Sequence, residues 1–145
     1  MKSDSDTKQT CARFLALLSR FTEAVSSLKG HAQLSCNREF LHTMADVAHE
    51  LYDSSIEVLN CHSEEARAVG RSVKDIFLRP LAKQGERSVT IAHATHSFSK
   101  QDPHPKESEL ALLLREYVIH PESTGRFIRE LELLATDLEL VLKAG

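Results

Sequence analysis

Phe127-Ile128-Arg129-Glu130-Leu131-Glu132-Leu133-Leu134-Ala135-Thr136-Asp137-Leu138-Glu139-Leu140-Val141-Leu142 is the stretch that decides the fold. Phe127, Leu131, Leu134, Leu138 and Val141 recur at alternating spacings of four and three, the seam of a helix that lies along another helix. Ile128, Ala135 and Leu142 widen that seam on one flank. Leu133 and Leu140 fall about 120° or more from its centre at about 100° per residue. An ordinary surface helix carries polar side chains there. The pattern predicts a helix that needs apolar neighbours on two sides.

Working outward, the same spacing recurs along the chain. Cys11, Phe14, Leu18, Phe21, Val25 and Leu28 form a heptad-like stripe, with Asp4 or Asp6 as a cap and Gly30 as a stop. Cys11 reads as a small core hydrophobe. A polar linker, His31 to Asn37, leads to a helix near Arg38–Asn60, built on Phe40, Met44, Val47, Leu51 and Val58. Ser63 caps a third helix, whose first turn holds Glu64 and Glu65 and whose buried face is Ala66, Val69, Val73, Ile76 and Phe77. Pro80 stops it near Arg79.

Residues 88–100 alternate without separating apolar from polar. Helix is the expected state, because a lone strand in a helical domain has no partner. Pro103 and Pro105 mark a loop. A fifth helix follows from about Glu107 to Ile119, with Leu112 and Ile119 opposite its main face. His120 and Pro121 end it, and Ser123 or Thr124 caps the last helix. The expectation is an all-α fold: an antiparallel bundle of about four long helices plus one or two short ones. Residues 1–5 are expected to form a flexible tail and residues 6–145 a single domain.

The 145 residues include 5 Gly, 4 Pro and no Trp, which suits helices rather than a sandwich or barrel. A net charge of −3 argues against nucleic acid or an anionic membrane as the partner. No secretory leader and no run of membrane-spanning length is evident. Three cysteines without CxxC spacing suit a reducing cytoplasm.

Several clusters resemble chemical sites. Glu39, His42, Asp46, His49 and Asp53 share one helical face, and imidazole with carboxylate suits zinc or iron. That face points away from the apolar seam, however, and a di-metal bundle needs inward ligands and two Glu-x-x-His pairs. His93 and His96, with His104 beyond, lack the four ligands of a structural zinc site. Cys61 beside His62 has no third group to orient a base. No metal or cofactor is expected. Arg67, Arg71 and Lys74 share a basic face, continued by Arg79, Lys83 and Arg87. Without interleaved aromatics it suits intramolecular pairing or a partner contact better than single-stranded nucleic acid.

Arg115-Glu116-Tyr117-Val118-Ile119-His120, just before the last helix, resembles the Arg-x4–6-His motif of the HEPN superfamily, helical domains that are often ribonucleases. The resemblance implies a dimer in which Arg115 grips phosphate and His120 acts in acid–base cleavage of RNA. Glu116 departs from the Asn or Asp that family often carries there. Ser26-Ser27-Leu28-Lys29-Gly30 is similar to the core of histidine phosphotransfer bundles, but Ser26 stands where the phosphorylated His would be, so phosphorelay is not expected.

The leading expectation is a non-enzymatic interaction module of the adaptor, chaperone, immunity or regulatory type. It would use Leu112, Ile119, Leu133 and Leu140, with Arg67, Arg71 and Lys74 as a secondary contact, to hold a protein partner or form a homodimer. A HEPN-like ribonuclease using Arg115 and His120 is the alternative.

Overall fold

A computed structural model of the chain describes residues 4–79, 82–84, 87–101, 108–119 and 121–144. In chain order these form α1 (Asp4–Ser27), a 3-10 turn (Ala32–Cys36), α2 (Arg38–Leu59), α3 (Glu64–Leu78), β1 (Ala82–Gln84), β2 (Arg87–Val89), α4 (Ile91–Gln101), α5 (Glu109–Ile119) and α6 (Pro121–Ala144). The all-α expectation of four long helices and two short ones holds.

Short polar side chains start these helices. Asn37 accepts a hydrogen bond from Phe40 N at 2.9 Å, and Ser63 from Ala66 N at 3.2 Å. Thr90 does the same for His93 N and Ser108 for Ala111 N, both at 3.0 Å. Each satisfies one of the amide donors orphaned in a first turn. The last helix begins differently from the expectation. It starts at Pro121, so Ser123 and Thr124 lie inside it rather than capping it. Proline suits a first helical position, since its missing N–H would have no partner there and its φ is already helical.

The four long helices close a ring. α1 packs on α2 and α6, and α3 packs on the same two. The short connections 28–37 and 60–63 make α1, α2 and α3 successively antiparallel. α6 runs against both α1 and α3. Near its start, Phe127 meets Phe21 late in α1, and Glu130 meets Arg79 just beyond α3. Its last turns lie beside Thr7 and Cys11 early in α1 and Ser63 at the head of α3.

One aromatic layer ties the ring together. Phe21 lies 5.5 Å from Phe77 and 6.3 Å, edge-on, from Phe127, and Tyr52 lies 5.9 Å from Phe77. Each of the four long helices supplies one ring, at separations favourable for offset or edge contacts. Gly70 lets α3 lie close against α2. A Cβ there would stand 3.2 Å from the Ser55 carbonyl oxygen and 3.3 Å from Val58 Cγ1.

Between α3 and α6 the chain makes an excursion. β1 and β2 pair antiparallel, with Ala82 opposite Val89 and Gln84 opposite Arg87. The expectation that helix fills residues 88–100 is therefore corrected at its start. The strand has a partner after all, supplied by the segment just before it, and α4 begins only at Ile91. α4 lies on α2 and α5, and α5 covers the Ala32–Cys36 turn. Phe98 of α4 is fully buried, with the His42 ring edge-on at 4.8 Å.

Candidate functional site

α6 is buried along Phe127, Ile128, Leu131 and Leu138 and open on its opposite side. Leu133 and Leu140 are 56% and 60% exposed, the two most exposed large apolar side chains among the described residues. Seven residues apart, they project in nearly one direction. Leu112 of α5 is half-buried. The side chain of Ile119 lies outside the described residues.

Beside the outer face of α6 runs a furrow that sequence patterning did not reveal. A cleft of about 860 Å³ opens between the early turns of α1, the first half of α3 and the last turns of α6. Val69, Leu134, Leu140 and Val141 supply apolar wall, and Lys8, His62, Glu65 and Asp137 supply polar rim. A second cleft of about 490 Å³ continues it along α3 and shares Ala68, Ser72 and Leu134 with the first. Ala68 and Ser72 line both clefts with small side chains. Larger side chains at these two positions on α3 would cover Leu134, which remains half-buried. From Glu65 to Arg79 the furrow runs roughly 21 Å at about 1.5 Å per residue.

The basic face of α3 is partly paired within the chain. Arg67 and Arg71 both bond Glu64, the latter at 2.9 Å. The Arg71 bond, then the Arg67 bond, hold the Glu64 carboxyl below its ordinary pKa of 4.5. Lys74 is half-buried. Arg79 donates to Asp75 at 3.2 Å and to both oxygens of Glu130 at 3.1 and 3.3 Å, strapping α3 to α6. The Asp75 bond and the Glu130 carboxylate raise the guanidinium pKa further.

The other candidates disperse. Arg115 is half-buried and its guanidinium lies 3.4 Å from Cys36 Sγ, while His120 falls outside the described residues. Of the two motif residues, the described one, Arg115, contacts its own chain. His93 Nε2 stands 3.2 Å from Glu109 Oε2 across α4 and α5, within ion-pair reach when the imidazole is protonated. His96 is exposed and His104 lies outside the described residues. His42 is exposed beside Phe98. Among the described residues, no three His, Cys, Asp or Glu side chains gather as metal ligands would. None of the described helices is long and apolar enough to cross a membrane. Cys11, Cys36 and Cys61 are not joined in disulfides, and Cys11 is in the core as expected.

No family model, curated protein or solved structure matches this chain.

Proposed function

We propose that this chain is a non-enzymatic protein-interaction module whose binding surface is the outer face of α6 together with the furrow between α6, α3 and α1. The observation that carries this reading is the exposure of Leu133 and Leu140 on a helix whose opposite side is core. Burying one leucine fully contributes about 1.5 to 3 kcal/mol, so covering these two half-open side chains supplies roughly 2 to 3. A micromolar complex needs about 8 kcal/mol. The furrow must therefore be engaged as well, and Leu140 and Asp137 belong to both. Three cysteines outside any disulfide suit action in the reducing cytoplasm. A homodimer is one form this association takes; a different protein is another.

The test compares wild type with the double variant Leu133→Asp and Leu140→Asp. Both side chains face solvent, so the far-ultraviolet circular dichroism should be unchanged. Wild type should show an association, by solution mass or by co-purification, that the double variant loses. If the two proteins associate alike, or neither associates, the reading fails.

A further inference from the structure

We draw no further inference here: the strongest candidate, the furrow between α6, α3 and α1 with the exposed leucine ridge of α6 beside it, is bordered by basic and acidic side chains alike, and nothing in the structure shows what covers it.

Discussion

Gly70 shows how far one missing methyl group reaches. An alanine there gains about 1 kcal/mol of helix propensity, but its Cβ presses on the Ser55 carbonyl, which belongs to the α2 backbone and yields little. Gly70→Val adds branching at the same point and should destabilise the fold by about 2 kcal/mol, read from urea denaturation. Glu64 makes a second residue-scale prediction. Its folded pKa lies below the ordinary 4.5, so its pairing with Arg71 and Arg67 stabilises above that pH and is lost as pH falls through the lowered value. Glu64→Gln should lower the melting temperature slightly at neutral pH, with the difference from wild type fading as pH falls below 4.5 and through the lowered pKa. Caps were unevenly legible at this scale. Ser63 announces itself, because two glutamates and then an apolar run follow it. Asn37 does not, because the residues from His31 onward read as linker, although Ala32–Cys36 wind into a 3-10 turn that delivers its side chain to Phe40 N.

α3 and α6 meet with an unevenness that no single-helix pattern contains. The seam of α6 and the outward position of Leu133 and Leu140 follow from periodicity, which depends on one helix alone. The furrow depends on which side chains α3 turns toward α6, and Ala68 and Ser72 acquire meaning only once that pairing is known. At the far end the strap from Arg79 to Glu130 holds the two helices together. Both side chains are 40% exposed, so Arg79→Ala should cost at most about 1 kcal/mol, a cost that shrinks in high salt. Denaturant titrations of wild type and variant at low and high ionic strength measure it. The hairpin was illegible for a related reason. Three residues are too few to show an alternating pattern, and what defines this pair is main-chain bonding between Ala82–Gln84 and Arg87–Val89, which periodicity does not register.

The whole molecule depends on the aromatic layer that joins its four long helices. Phe21 touches rings on two other helices, and Phe21→Ala should cost about 3 to 5 kcal/mol. Against a typical stability of about 5 to 15 kcal/mol, that brings the chain close to unfolding at ordinary temperature, a result visible in thermal melts. Leu133→Asp with Leu140→Asp should leave the melting temperature almost unchanged, since neither side chain is in the core. The ring was legible as a bundle because each long helix shows its own stripe. The order of helices around it was not, since an excursion of hairpin and two short helices separates α3 from the neighbour that completes the ring. That excursion also sets a schedule for synthesis. α6 leaves the ribosome roughly 90 residues after α1, which at about 5 to 20 residues per second is a wait of roughly 5 to 20 s. During that interval Phe21 has no Phe127 to rest against, and the ring can close only once its last-made helix arrives.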